Sequence, residues 1–457
     1  MAGQRIAAKE ILTPEGWRRD VIVEIGPDGR ITGLHKKDKG AAADMTVGAL
    51  LPAPGNVHSH AFQRAMAGLT EYRANPTDDF WSWRALMYHF VERLTPDDIE
   101  AIAAGVQMEM LEAGFAAVGE FHYLHHQPDG APYANLAELS ERLFAAAAET
   151  GIGYTHLPVL YMRGGMDGRA LEGGQRRFGC TREQFENLFA DAREAMKALP
   201  GDARLGVAPH SLRAVDKDGL AFAAALDPSS PVHIHIAEQT GEVEEAITHL
   251  GARPVEWLYA NMNVDARWCL IHATHMNEAE VKAAAASGAV AGLCPITEAN
   301  LGDGIFEAAS FLSAGGRIGI GSDSNIRITL AEELRMLEHS QRLKHRQRAV
   351  LSTLEKSCGR FLLEGAALGG AQALGRDGGR IEHGALADFV ALDAGNPALA
   401  GLSGDRMLDA WIFASAESPV TDVWSAGRHL VKDGRHIRRD RIAGRFNTVL
   451  ARLRSDL

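Results

Sequence analysis

Cysteine is scarce in this chain. Four residues in 457 (Cys180, Cys269, Cys294 and Cys358), with no CxxC pair, are too few and too scattered for a disulfide framework. Long apolar runs are also missing. No stretch approaches the roughly 20 apolar residues that a membrane helix needs, and the Ala-rich segment 281–293 is broken by Lys282 and Ser287. The first residues, MAGQRIAAKEIL, hold no continuous apolar signal core. Positive charge is in deficit, with 47 Lys+Arg against 59 Asp+Glu and a formal net charge of -12. That argues against a nucleic-acid or anionic-membrane binder, whose affinity comes mostly from clustered Lys/Arg, while leaving room for a local basic pocket. What remains is 46% apolar and 23% charged, the balance of a soluble globular protein. The expectation is a cytoplasmic protein that takes a small molecule, with a homodimer as the default assembly.

Length allows about three domains at roughly 150 residues each, or one large barrel with an appendage. The first fifty residues read as β, with apolar runs at 21–25 and 30–34 flanking a Pro27-Asp-Gly29 turn. The pattern returns near the far end, at 387–392, 423–427 and 429–431. These ends predict one small β-sandwich domain, 1–50 with 368–457, built from both termini. Between them, over 51–367, short apolar runs alternate with helical stretches. Eight strands are expected near 55–58, 116–122, 153–160, 204–208, 232–237, 268–272, 289–293 and 317–321. Thr95-Pro-Asp-Asp98 has the cap, first-position proline and acidic first turn of a helix start. Eight strand–helix rounds fit a (β/α)8 TIM-type barrel. The rival open sheet lacks its dinucleotide signature, since no GxGxxG follows a strand. Residues 61–94 form a connection long enough to predict a functional loop or lid.

A barrel of this kind carries its chemistry at the C-terminal ends of its strands, and several of the 19 histidines fall there. Strand one ends Val57-His58-Ser59-His60, and alternate side chains of a strand share a face. Strand five reads Val232-His-Ile-His235-Ile-Ala-Glu238, strand six ends in His272 and strand eight in Gly321-Ser-Asp323. An isolated His-x-His is weak evidence, and His272 or Asp323 alone reads as a core histidine or a helix cap. Together, at the same end of different strands, three His and one Asp suit one divalent ion, Zn²⁺ first, with Fe²⁺, Mn²⁺ or Co²⁺ also accepted by such ligands. His125 and His126 read as ordinary loop residues. No GxSxG elbow appears, which disfavours an acyl-enzyme route.

This constellation resembles the amidohydrolase superfamily, in its aminohydrolase branch with one metal. The resemblance implies His58, His60, His235 and Asp323 as ligands, Glu238 as proton shuttle and His272 as the group orienting water and the tetrahedral intermediate. Either Asp323 or Glu238 would take the first proton. The carboxylated strand-four lysine of two-metal members has no counterpart, because 204–214 contains no Lys. Further stretches, His58-Ser-His-Ala-Phe-Gln-Arg64, Asp79-Phe-Trp-Ser-Trp-Arg84, Gly119-Glu-Phe-His-Tyr123 and Ala208-Pro-His-Ser-Leu-Arg213, are similar to the members that deiminate N-formimino-L-glutamate. That similarity implies Gln63, Arg84, Tyr123, His210 and Arg213 as substrate contacts. The two arginines offer planar forks that match carboxylates. Two rivals stand beside it: a purine or other heterocyclic aminohydrolase, and a catalytically dead relative serving as a binding module.

Overall fold

The computed structural model describes residues 3–38, 41–71 and 80–455. Its larger sheet is parallel throughout and follows the eight expected runs. The strands are Gly55–Ser59, Ala117–His122, Gly153–Leu160, the pair Arg204–Leu205 and Ala208–Pro209, Val232–Ile236, Trp268–His272, Val290–Leu293 and Arg317–Ile320. Neighbours in sequence pair in order, the eighth strand joins the first through Ile320 and Asn56, and a bridge from Val207 to Val232 closes the ring. Only the fourth strand departs from expectation, splitting in two around Gly206 and Val207. A Cβ at Gly206 would stand 2.8 Å from the Pro231 carbonyl oxygen, an approach that glycine allows, and Val207 stays bonded to strand five through the His233 N–H at 3.0 Å.

Helices cover the outside of the ring. Pro96–Glu112 starts as its sequence predicts: Thr95 and Asp98 cap one another's backbone N–H groups, with Pro96 at the first position. Inside the ring, Val57, Cys269, Ile271 and Val290 meet Ala373 in a small apolar plug. Ala373 ends the helix Cys358–Ala373, whose Gly369 lies against the Ile318 carbonyl so closely that no Cβ fits. His233 also points to this floor, its Nε2 bonding the Ala373 carbonyl at 2.7 Å, and is a buried core histidine.

Residues 61–94 are not a plain loop. They hold a 3-10 helix, Ala61–Met66, and an α-helix, Phe80–Val91, while 72–79 lie outside the described residues. Met87, Phe90 and Val91 recur at helical spacing and are all buried, a periodicity that connection length alone conceals.

The second sheet has eight strands drawn from both ends of the chain. Its order is Arg435–His436, Arg428–Lys432, Val420–Ser425, Phe389–Leu392, Met45–Pro52, Gln4–Thr13, Gly16–Ile25 and Ile31–Lys36. Ile6, Val23, Leu50, Phe389 and Trp424 share one apolar cluster, so side chains of both halves form its core. A buried ionic network ties this sheet to the barrel. Arg376 donates to Asp202 at 2.9 Å and to both oxygens of Asp388 at 3.1 Å, and Arg428 donates to both oxygens of Asp202 at 2.7 Å.

Burial alone would raise the Asp202 pKa, but bonds and charge from Arg428 and Arg376 hold it down to about 2. A carboxyl depressed in the folded state stabilises fully above its unfolded value, near 3.9, and loses that contribution as pH falls towards 2. The amount is about 2.6 kcal/mol. Asp202→Asn should therefore be less stable than wild type in urea unfolding at pH 7 by about that much, with the gap closing as pH drops from 5 to 2. An equal gap at pH 7 and pH 2.5 would disprove the linkage.

Candidate active site

At the C-terminal mouth of the ring, His58 and His60 leave strand one on the same face, as their spacing predicts. Strand eight brings Asp323 beside them: His60 N–H donates to the Asp323 carbonyl and Asp323 N–H to that of His58, both at 2.9 Å. Asn56, Ser322, Asn325 and Ser59 continue the hydrogen-bonded seam between these strands. Asp323 Oδ1 lies 3.3 Å from Nε2 of His58 and of His60, and His58 Nε2 lies 3.0 Å from His235 Nε2. Donor atoms of all four residues fall within 4.8 Å of one another, and all four side chains are buried.

The protonation pattern suits a cation. His60 Nδ1 donates to the Phe121 carbonyl at 2.9 Å and His235 Nδ1 to that of His210 at 3.1 Å, which leaves each Nε2 lone pair facing the cluster. Burial, then the positive fields of neighbouring imidazoles, pushes His58 and His235 well below the ordinary value and His60 to about 3. These imidazoles are neutral at pH 7, as ligands must be. Two facing nitrogens and a carboxylate oxygen at such distances make a candidate cation site, and the His₃Asp donor set fits a borderline divalent ion. Phe121 packs its ring on His58, His60 and His235 at centroid distances of 5.0, 5.4 and 4.4 Å, fixing all three.

Glu238 reaches the same space by a local strain. Residues three apart on a regular strand face opposite ways, but Ala237 between them is left-handed at φ +51° and swings Glu238 back to the side of His235. His272 and Asp323 are left-handed as well, at +65° and +46°. Such residues cost of order 1–3 kcal/mol each and cluster at functional sites. Glu238 Oε1 lies 3.8 Å from His272 Nε2, and the Glu238 N–H donates to buried Glu242 at 3.1 Å. Burial alone would lower the His272 pKa, but Glu238, with Glu298 and Asp323, raises it to about 10. A divalent cation held by His58, His60, His235 and Asp323 would oppose that rise. Asp323 also belongs to a second group with His272 and Cys294.

A pocket opens over this cluster. Of the expected substrate contacts, Gln63, Tyr123, His210 and Arg213 all line it. Gln63 Nε2 donates to Tyr123 Oη at 2.7 Å, and its buried Oε1 has no partner among the described residues. Arg213 is 8% exposed, too enclosed for a surface ion pair, and among the described residues Glu242 is the acid within 4 Å of it, at 3.9 Å. Arg84 belongs to the helix Phe80–Val91, but its side chain lies outside the described residues. The walls also include Met87, Tyr161, Phe178 and Leu301, which sequence reasoning did not single out. Nor did it single out Glu120, Glu242 and Glu298, which are buried acids. Glu120 accepts the Ala61 N–H at 2.7 Å, just past His60, and burial pushes its pKa up to about 8. His125 and His126 are loop residues, but buried ones, bonded to the Val159 and Gly179 carbonyls.

Ring, mouth and His/Asp cluster together define a hydrolase of a recognisable kind: the chain belongs to the amidohydrolase family, whose model matches residues 49–430. Within reach of that family lies a formimidoylglutamate deiminase from Pseudomonas aeruginosa, 50% identical over 450 residues that cover 98% of this chain and 99% of that protein. A 5-methylthioadenosine/S-adenosylhomocysteine deaminase from Natronomonas pharaonis is 30% identical over 415 residues, 87% of this chain and 86% of that protein. The crystal structure of an amidohydrolase from Brucella melitensis superposes with a TM-score of 0.95 at 49% identity, over 98% of this chain and 99% of that one. Among the described residues, no helix is long and apolar enough to cross a membrane.

Proposed function

We propose that this chain hydrolyses the formimino group of N-formimino-L-glutamate, giving N-formyl-L-glutamate and ammonia. The observation that carries the reading is a buried guanidinium, Arg213, in the same pocket as the His/Asp cluster and Glu238. The substrate carries two carboxylates beside its reacting carbon, and a neutral heterocycle has no use for such a group. Likeness over nearly the full chain to a protein named for this deimination supports it.

His58, His60, His235 and Asp323 would hold one divalent ion, zinc first by donor chemistry. When bound, such an ion supplies Lewis acidity that brings the pKa of a water towards about 7. The residues do the rest. Arg213, with Arg84 as its expected companion, clamps the carboxylates, while Gln63, Tyr123 and His210 orient the amidine with hydrogen bonds. Water adds to the formimino carbon, Asp323 or Glu238 taking its first proton; Glu238 delivers protons to the imino nitrogen, so that both hydrogens of the water end on it, and the C–N bond breaks to release ammonia as the formyl carbonyl forms. His272 steadies the developing oxyanion from the far side. The proposal extends to a homodimer, the commonest closed assembly, checked by sedimentation, and to a cytoplasmic location.

Ammonia release should be measured from N-formimino-L-glutamate, guanine, adenosine and S-adenosylhomocysteine, with metal analysis of the same preparation. Turnover of the first alone, with about one ion per chain, is the expected result. Turnover of a heterocycle alone would overturn the reading in favour of a nucleobase or nucleoside aminohydrolase, the activity named for the relative at 30% identity. A well-folded chain with neither metal nor turnover would make it a binding module.

A further inference from the structure

Strand seven contributes nothing to the ligand set or to the expected substrate contacts, but the helix Pro295–Leu301 that follows it carries Glu298. This carboxylate is buried, at 5% exposure. Its Oε1 accepts the Cys294 N–H at 2.8 Å and lies 3.2 Å from His272 Nδ1, while its own N–H donates to the Cys294 carbonyl at 2.9 Å. Glu298 is thus pinned to the strand end through both its backbone and its side chain. The other face of the His272 ring looks into the site, with Nε2 at 3.8 Å from Glu238 Oε1 and from Asp323 Oδ2.

His272 needs such a support. It ends its strand paired with Ile236 and is left-handed at φ +65°, and a backbone ladder does not set the direction of a side-chain ring. An ionised carboxylate can only accept, so contact with Nδ1 requires a proton on that nitrogen. This holds whether the imidazole is neutral or charged. We propose that Glu298 is a positioning residue, which keeps Nδ1 of His272 protonated and aims Nε2 at the place between Asp323 and Glu238 where charge develops in the reaction. The inference rests on the role given to His272 in the proposed function. A bland alternative exists: Glu298 could simply satisfy the Cys294 N–H at the start of a buried helix.

Three measurements separate these. In ¹⁵N spectra of the metal-loaded wild type, His272 Nδ1 should carry a proton; an unprotonated Nδ1 overturns the proposal without reference to any substrate or variant. Glu298→Ala should lose about 10–100-fold in kcat, the usual cost of removing a group that orients a site histidine, with KM and metal content near wild type. Glu298→Gln keeps an oxygen that can accept from Nδ1 and should recover most of the loss. Unchanged kcat in the Ala variant, equal losses in Ala and Gln variants, or loss of metal with loss of activity would each overturn it. If wild type does not turn over N-formimino-L-glutamate, the proposed function fails, and the Nδ1 measurement still decides on Glu298.

Discussion

Glu238→Gln should retain its metal and lose turnover by about 10²–10⁴-fold, the range associated with removing a general acid–base group. The substitution preserves shape and hydrogen-bonding capacity but removes a group able to take a proton and give it back. Glu238 is not among the four clustered donors, so metal content is a clean control. Its backbone N–H is anchored on Glu242 independently of the side chain, so the turn that places residue 238 should persist. The measurements are kcat for N-formimino-L-glutamate, ions per chain and the thermal midpoint. A variant with wild-type kcat would refute the shuttle role, and one that lost metal in step with activity would make Glu238 part of the metal site instead.

Arg213→Ala carries the second large effect, on substrate capture. The guanidinium is enclosed, and its approach to Glu242, at 3.9 Å, is long beside the roughly 2.7–2.9 Å of a charge-assisted pair. That geometry leaves its fork able to take a carboxylate from the pocket. Truncating one partner of a buried charge pair costs about 2–5 kcal/mol, so kcat/KM for the dicarboxylate should fall by about two to three orders of magnitude with metal unchanged. A formimino substrate lacking the matching carboxylate should be nearly indifferent to the change. Arg213→Lys should rescue only in part, because an ammonium lacks the planar fork. Equal losses for both substrates, or loss of metal, would assign Arg213 to the fold.

The parts legible in the sequence were those governed by alternation along a strand. His58 and His60, two apart, face together because strand geometry requires it, and short apolar runs ending in polar residues marked the mouth of the ring. What escaped depended on departures from regular geometry. His235 and Glu238, three apart, meet only because Ala237 turns left-handed, and resemblance rather than spacing paired them. Gln63 would read as solvated on its own but is buried in a 3-10 turn. Glu298 follows a strand that ends in no motif residue, and an acid in the first turn of a short helix ordinarily reads as solvated. The helix Phe80–Val91 was hidden inside a connection read by its length rather than its periodicity.

The sheet drawn from both termini also sets a timetable for synthesis. Its middle strand, Met45–Pro52, pairs on one side with Phe389–Leu392, and Gln4 Nε2 donates to the Gly427 carbonyl across 423 residues of chain. At about 5–20 residues per second, the N-terminal half of that sheet waits roughly 20–80 s for its partner strands. During that interval the whole barrel emerges, and Met45–Pro52 presents an open edge to any neighbouring nascent chain. Misassembly of this protein should therefore begin at that edge rather than at the His/Asp cluster.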